Sequence, residues 1–461
     1  MRWVIDLVLI KTALGVKNEN TFIFIPGYSH FLSKKHFKFI DLVKKLLRND
    51  ERLVDAIGGI PLALPHKKVV PERIKFTDKE QLISYEIDNI LVGDLIYDTY
   101  LKNLRKPTVD MEDPYLSYLI GEAKELIKRY NHIISECKPD AIFISHAVYL
   151  VFGILTRVAL SRGKRVFVFG NSRGRQVLKL KHNHPFQTPE YDRYPDYYNA
   201  MNDKTQLRQS AIRQLESRFK GNIDNATQYM RKSAYSDTSE IYDLEEFGGT
   251  KCILIMAHSF LDSPHLYGRL LFPDFWTWIE ETINIAKERG YQIFIKPHPN
   301  GLMGEDEIVD SLYSRFPFIT IIDKQTPNNA LINAQFDLCV TVYGTVAHEF
   351  SYNGTPVLCA GDNPHKCYSF AHTSQTTNDY KKYLSDPSSW TLPPNHKSQI
   401  VDFLTVEYFN DFDGRNWYWQ KTLGSLPKNC EPKQVEEIFK KFEISKLLKE
   451  TRKNILSLWD K

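Results

Sequence analysis

Short apolar runs alternate with longer amphipathic stretches along the whole chain. The apolar runs predict β-strands, and they lie at 21–25, 141–145, 165–169, 252–257, 292–296, 318–322, 337–342 and 356–359. The amphipathic stretches predict helices, and they lie at 33–47, 115–137, 148–162, 274–289, 328–334 and 346–353. Strand, helix and strand joined by short links are typical of a parallel sheet covered by helices.

A more polar region from about 171 to 250 separates two such α/β units. It holds a helix candidate at 206–229 and ends in Gly248-Gly249. We therefore predict an α/β fold with two Rossmann-like domains, 1–245 and 246–430, that face a central cleft. The last segment, 431–461, contains an amphipathic helix candidate at 435–458 that could cross back to the first domain.

The clearest chemical motif is Lys296-Pro297-His298-Pro299, at the end of the predicted strand 292–296. The two prolines fix the backbone φ of the loop. An ammonium and an imidazole held together offer cationic and hydrogen-bonding groups to a phosphate. The alternative interpretation is a proline-stiffened turn with incidental polar residues.

A second motif follows the predicted strand 337–342. Gly344 makes a turn, Thr345 is expected to cap the helix 346–353, and Glu349 lies one turn in. The N–H groups at a helix start bind phosphate, and a carboxylate at Glu349 could accept hydrogen bonds from two ribose hydroxyls. Plain capping and an exposed helix glutamate explain each residue alone; together with the Lys296 loop they favour a nucleotide site.

These motifs resemble those of bacterial capsule and surface polysaccharide biosynthesis glycosyltransferases of the two-domain GT-B type, which are similar to enzymes that use CMP-Kdo or CMP-sialic acid. The resemblance spans about residues 90–375, and its stretches are 93–101, 257–265, 296–299, 343–345 with Glu349, and 354–357.

The resemblance implies a donor site in the second domain and an acceptor site in the first. The implied donor-binding residues are His258, Ser259, Lys296, His298, Gly344, Thr345 and Glu349. On the acceptor side the sequence departs from the family, because it has no clear glycine-rich loop near its start. The loop 27–30, which ends in His30, is the nearest candidate, and Arg173 could face an anionic glycan.

An inverting transfer needs a base that removes the proton of the acceptor hydroxyl. Asp94 and Asp98 are spaced i, i+4, so on a helix they share one face, and we predict that one of them is this base. The alternative is a helix cap at Asp94 and a solvated carboxylate at Asp98. His265 could also reach the donor site, and His146 is a further candidate base.

Composition narrows the function classes. A net charge of +4 gives no sign of a nucleic-acid binder, and 42% hydrophobic residues exclude a disordered chain. The six cysteines form no CxxC pair, and Asp411-Phe412-Asp413 follows no predicted strand, so we expect neither a zinc site nor a required metal or cofactor. The longest apolar run, 147–155, is too short to span a membrane. We expect a cytoplasmic protein that could reside at the inner face of the membrane.

The sequence thus predicts a metal-independent glycosyltransferase that moves a sugar from a nucleotide-sugar donor, with a CMP-Kdo-like donor favoured, onto a growing surface glycan. The acceptor could be lipid-linked. Three alternatives stay open: an isomerase of the nucleotide-sugar 2-epimerase kind, a polyol-phosphate transferase, and a non-catalytic nucleotide-sugar binding partner in an assembly complex.

Overall fold

The computed structural model describes residues 10–16, 22–25, 60–63, 69–169, 177–186, 188, 190–223, 233–236, 241–299, 301–410 and 444–459. Five sequence-based predictions lie outside these residues: the acceptor candidates His30 and Arg173, the loop 27–30, the helix 33–47 and the acidic motif 411–413.

The strands of the described residues are short and mostly follow the predicted apolar runs. They are β1 (Phe22–Ile25), β2 (Ile60–Ala63), β3 (Glu86–Ile87), β4 (Ile90–Leu91), β5 (Ala141–Ile144), β6 (Arg165–Val168), β7 (Leu178–Leu180), β8 (Cys252–Met256), β9 (Gln292–Lys296), β10 (Thr320–Ile321), β11 (Leu338–Thr341), β12 (Val357–Cys359) and β13 (His372–Thr373).

The longer helices of the described residues carry the labels α1 to α13. They are α1 (Lys79–Ile83), α2 (Gly93–Leu104), α3 (Pro114–Cys137), α4 (Tyr149–Ser161), α5 (Tyr194–Ala200), α6 (Lys204–Phe219), α7 (Phe275–Glu288), α8 (Glu305–Arg315), α9 (Asn328–Asn333), α10 (Val346–Tyr352), α11 (Thr377–Ser385), α12 (His396–Phe409) and α13 (Ile444–Trp459).

The chain packs as two compact units. The first comprises the described parts of Met1–Pro71, Gly121–Gln187 and Asp411–Lys461, and the second those of Glu72–Ile120 and Thr188–Asn410. This division differs from the predicted boundary between residues 245 and 246. The reason is packing: α6 lies against α12, and α2 lies against the 3-10 turn Pro264–Tyr267.

Within the first unit, β5 pairs in parallel with β6, and β6 pairs antiparallel with β7. Helix α13 packs on β7. Arg165 and Lys179 both donate hydrogen bonds, each 3.0 Å long, to the carbonyl oxygen of Trp459. The C-terminal helix therefore belongs to this unit.

The second unit contains a six-stranded sheet in which every pairing is parallel, with the strand order β10-β9-β8-β11-β12-β13. Numbered along the chain, this order is 3-2-1-4-5-6, the order of the doubly wound Rossmann fold. The predicted α/β class is thereby confirmed. In such a sheet the ligand crevice lies where the order reverses, here between the carboxyl ends of β8 and β11.

Both faces of this sheet are buried, which explains the continuous apolar strands. In β8, Cys252, Leu254 and Met256 join one core cluster, and Ile253 and Ile255 join the other. The first cluster draws on helices α5, α6, α9, α10 and α12. The second draws on α7, α8 and α11. The thiols of Cys339 on β11 and Cys359 on β12 are fully buried in the first cluster.

The structure differs from the predicted helices in two places. The helix predicted at 206–229 ends at Phe219, because Gly221 takes a φ of +91° that a helix cannot continue through. Helix α12 was not predicted at all; it is buried on several sides and so lacks the single apolar stripe that marks a surface helix. Within the described residues, no helix is both long and apolar enough to cross a bilayer.

Candidate functional site

The predicted donor residues meet at the point where the strand order reverses. His258 and Ser259 follow β8, the Lys296 loop ends β9, and Gly344 and Thr345 follow β11. A Cβ atom built on Gly344 would lie 3.7 Å from Cε1 of His258. Three separate sequence motifs therefore converge at the ligand-binding edge of one parallel sheet.

His258 is held as a neutral imidazole. Its Nε2 atom accepts a hydrogen bond of 3.3 Å from the backbone N–H of Tyr343, so Nδ1 carries the proton. Its ring stacks on Phe275 with a centroid distance of 4.9 Å. Burial, and then the neighbouring His298, lower the pKa of His258 to about 3. At neutral pH this side chain can offer a ligand its Nδ1–H donor but no free acceptor and no positive charge.

A pocket of about 220 Å³ opens beside the two histidines. Burial lowers the pKa of His298 as well, so both imidazoles are neutral at pH 7. The pocket is lined by these two histidines together with Phe260, Pro297, Gly301, Leu302, Met303, Glu305, Asp306, Val309 and Lys324.

Lys296 ends β9, directly before the pocket residue Pro297, and is only 1% exposed. Its Nζ atom donates a hydrogen bond of 2.5 Å to Oδ1 of Asn328. Burial lowers the pKa of Lys296 to about 8, although Glu349 and Asp323 act in the opposite direction. The ammonium is therefore not exposed for direct contact with a ligand, and it acts through its positive charge.

Glu349 is fully buried, which overturns the alternative of an exposed helix glutamate. One carboxylate oxygen accepts a hydrogen bond of 2.5 Å from Nε of Arg218, and the other accepts one of 2.5 Å from the hydroxyl of Tyr235. Arg218 also donates through Nη2 to Oγ1 of Thr345, at 3.3 Å. The expected side-chain cap by Thr345 is not formed; its hydroxyl faces this arginine instead.

These contacts form one buried polar network that runs from Lys296 to Thr345. Asn328 bonds both Lys296 and the hydroxyl of Tyr235, and Glu349 then links Tyr235 to Arg218. Burial and the Glu349 carboxylate hold the pKa of Tyr235 well above its usual range.

Sequence reasoning missed the linking residues of this network, Arg218, Tyr235 and Asn328. Arg218 and Tyr235 lie 131 and 114 residues from Glu349 along the chain. No local spacing signals a contact between residues so far apart.

Ser259 leads to another residue that the sequence analysis overlooked. Its hydroxyl donates a hydrogen bond to Oε1 of Glu305, the first residue of α8 and part of the pocket wall. The available sequence signal was weak: an acidic residue after glycine, seven positions beyond His298.

The two predicted catalytic bases do not belong to the pocket wall. Asp94 and Asp98 are on one helix, α2, as expected, but they are 4% and 2% exposed and do not line the pocket. The alternative of a solvated carboxylate at Asp98 is wrong, because its Oδ1 lies 2.6 Å from Nδ1 of His265. Burial raises the pKa of Asp98 to about 6 against the opposing effect of His265. Both aspartates belong to the same compact unit as the six-stranded sheet.

Within the ranges that the structure describes, no group of three or more histidine, cysteine, aspartate or glutamate side chains is placed to hold a metal ion.

Comparisons with known proteins give only distant likenesses. No family model and no curated protein matches the sequence. Among solved structures, KpsC of Thermosulfurimonas dismutans, a beta Kdo 2,4 transferase, is 14% identical with a TM-score of 0.32, covering 57% of this chain and 86% of that one.

Two further structures have a TM-score of 0.28 and 13% identity. They are MnaA of S. aureus with UDP and a putative UDP-N-acetylglucosamine 2-epimerase of Listeria monocytogenes, which cover 87% of this chain and 95% and 94% of theirs. Likenesses this weak carry no argument on activity, so the fold and the site are argued from the sheet order and the side chains.

Proposed function

We propose that this chain is a nucleotide-sugar enzyme, and that it transfers a sugar from a nucleotide donor to a glycan acceptor without a metal ion. One observation carries the proposal. His258, His298 and Thr345 follow neighbouring strands at the strand-order reversal of a Rossmann-like sheet, and the buried ammonium of Lys296 acts electrostatically on His298. Doubly wound sheets bind nucleotides at this position.

The polar groups suit a donor whose phosphate must be held and then released with its negative charge. Imidazole N–H and threonine hydroxyl groups donate hydrogen bonds to phosphate oxygens. The buried ammonium of Lys296 stabilises the negative charge that develops on the phosphate as the sugar–phosphate bond breaks, because it acts in a water-poor environment. In this proposal Glu349 holds the position of the donor site through Arg218 and Thr345.

The test begins with nucleotide binding. CMP, UMP, UDP and GDP are titrated against the wild-type chain and His298→Ala by calorimetry. We expect at least one nucleotide to bind the wild type and to lose about ten- to a hundredfold in affinity in the variant, since a hydrogen bond to a charged group contributes about 1.5–3 kcal/mol. His132→Ala, which removes an exposed histidine of α3, is the matched control and keeps wild-type affinity.

Nucleotide release is then followed with the matching nucleotide sugars, with and without a glycan acceptor. Release that depends on the acceptor supports transfer. Equal affinity of the wild type and His298→Ala for every nucleotide would contradict the proposal.

A second candidate is an isomerase that acts on the nucleotide sugar alone. The observation that favours it is the pocket itself, which places a carboxyl group, Glu305, beside two neutral imidazoles. An isomerase needs such proton-transferring groups at the donor and needs no acceptor. Conversion of the donor sugar without an acceptor would select this candidate over transfer.

A further inference from the structure

The pocket wall contains one buried carboxyl group to which the motifs give no role. Glu305 is 7% exposed and is the first residue of α8. Its Oε1 atom accepts hydrogen bonds from the hydroxyl of Ser259 and from the backbone N–H of Leu261, the latter at 3.4 Å. Both donors belong to the loop that follows β8. The loop that carries His258 therefore also fixes the orientation of this carboxyl group.

The loop that follows His298 also lies close to the side chain of Glu305. A Cβ atom built on Gly301 would lie 2.4 Å from Oε2 of Glu305, closer than real side chains approach. Gly304, directly before the helix, has a φ of +101°, which favours glycine. Glycine at 301 lets the loop approach the carboxyl group without a steric clash, and glycine at 304 allows the positive φ with which the chain enters α8.

Among the described residues, no Lys or Arg side chain forms an ion pair with the Glu305 carboxyl group. The titratable groups that face it are His258 and Asp262 after β8, His298 after β9, Asp306 on α8, and Lys324. Lys324 places its Nζ atom 2.5 Å from Oδ1 of Asp306, so its charge is matched there. Burial raises the pKa of Glu305 against the opposing hydrogen bonds from Ser259 and Leu261, and Asp262 acts in the same direction as burial.

Resting on the proposed function, we propose that Glu305 is the proton-transferring residue of this pocket. In the transfer, the Glu305 carboxylate takes the proton of the acceptor hydroxyl as that oxygen bonds to the anomeric carbon. The bond from the anomeric carbon to the phosphate oxygen breaks, and its electron pair leaves with the nucleotide. Glu305 then returns the proton to solvent. This role replaces the predicted one of Asp94 or Asp98, which lie off the pocket.

The deciding variant is Glu305→Gln, which keeps the size of the side chain and an oxygen that can accept from Ser259. We expect turnover to fall at least a hundredfold, because general acid–base groups contribute about 10² to 10⁴ in rate. Nucleotide affinity and the thermal unfolding midpoint stay at wild-type values. The acidic limb of the pH profile of kcat/KM, set by ionisation of the carboxyl group, is expected to disappear.

Two further variants make the test specific. Glu307→Gln neutralises an exposed carboxylate two residues away on α8 and keeps full activity. Glu305→Asp retains a carboxyl group and is at least tenfold faster than Glu305→Gln. A folded Glu305→Asp no faster than the glutamine variant would overturn the proposal, as would a glutamine variant within tenfold of the wild type.

The two proposals fail in different ways. A wild-type chain that binds no nucleotide and turns over no nucleotide sugar overturns the proposed function and the role of Glu305 with it. An active wild type together with an active Glu305→Gln overturns the role of Glu305 alone.

Discussion

At the scale of single residues, Lys296 is the most unusual side chain of the site. It is a lysine with 1% exposure whose hydrogen-bond partner is the neutral amide of Asn328. Removing an ammonium group from water is costly unless an opposite charge compensates it. Glu349 compensates in part, but its carboxylate also bonds Arg218. A bound anion would supply the missing negative charge.

Nucleotide affinity should therefore fall as the pH rises through about 8, the pKa of Lys296. Below this pKa the ammonium attracts the phosphate, and above it the neutral amine does not. Calorimetric titration at pH 7 and pH 9.5 measures the difference, and Lys296→Met is expected to bind weakly at both. Equal affinity of the wild type at the two pH values would contradict this expectation.

The stability of the ligand-free chain should depend on pH in the opposite direction to nucleotide affinity. The pKa of Lys296 in the folded chain, about 8, lies below the ordinary lysine value of 10.5. The unfolded chain therefore binds this proton more tightly. Between these two values the contribution of Lys296 to the free energy of unfolding rises with pH.

At the scale of elements, the apolar runs in the sequence predicted most strands of the sheet. They did not predict which side chains contact one another. The runs that became β8, β9 and β11 are buried on both faces, so a short apolar stretch sufficed to identify them. The order in which these strands pair, and hence the reversal point, follows from packing that no single segment encodes. The motifs after the strands were placed correctly because parallel strands bring their carboxyl ends to one edge.

Helices gave the larger errors, for a physical reason. Helix α2 was predicted to carry two aspartates toward an acceptor, but tertiary packing buries its entire first two turns. The spacing i, i+4 indicates which residues share a helix face. It does not indicate which other residues pack against that face. The partner of Asp98, His265, lies 167 residues away.

Helix α2 also supplies a test of the fold. A Cβ atom built on Gly93 would lie 1.8 Å from the carbonyl oxygen of Leu82, which is backbone and cannot rotate away. Gly93→Ala should lower the free energy of unfolding by about 3 kcal/mol, as overpacking does. Gly248→Ala is the matched control, since its nearest neighbour is 3.5 Å away; urea unfolding should show a change within about 0.5 kcal/mol. Equal stability of the two variants would contradict this packing.

At the scale of the whole molecule, every described residue of the candidate site lies in the unit that contains the six-stranded sheet. A ligand that binds only the native state stabilises it by about 2.7 kcal/mol at a hundred times its Kd. Hydrogen exchange with a bound nucleotide should therefore slow at the amides of β8 and β11 and stay unchanged in β5 to β7. Slower exchange confined to β5 to β7 would assign the ligand to the other unit.

The buried thiols of Cys339 and Cys359 give this sheet a built-in chemical reporter. Burial raises the pKa of both, so neither forms a reactive thiolate while the strands stay together. Cys367 is exposed, although burial and then Asp192 raise its pKa, and we expect it to be alkylated before the two buried thiols and to serve as the internal standard. The rate at which the two protected sulfurs become modified therefore measures how often the strands separate.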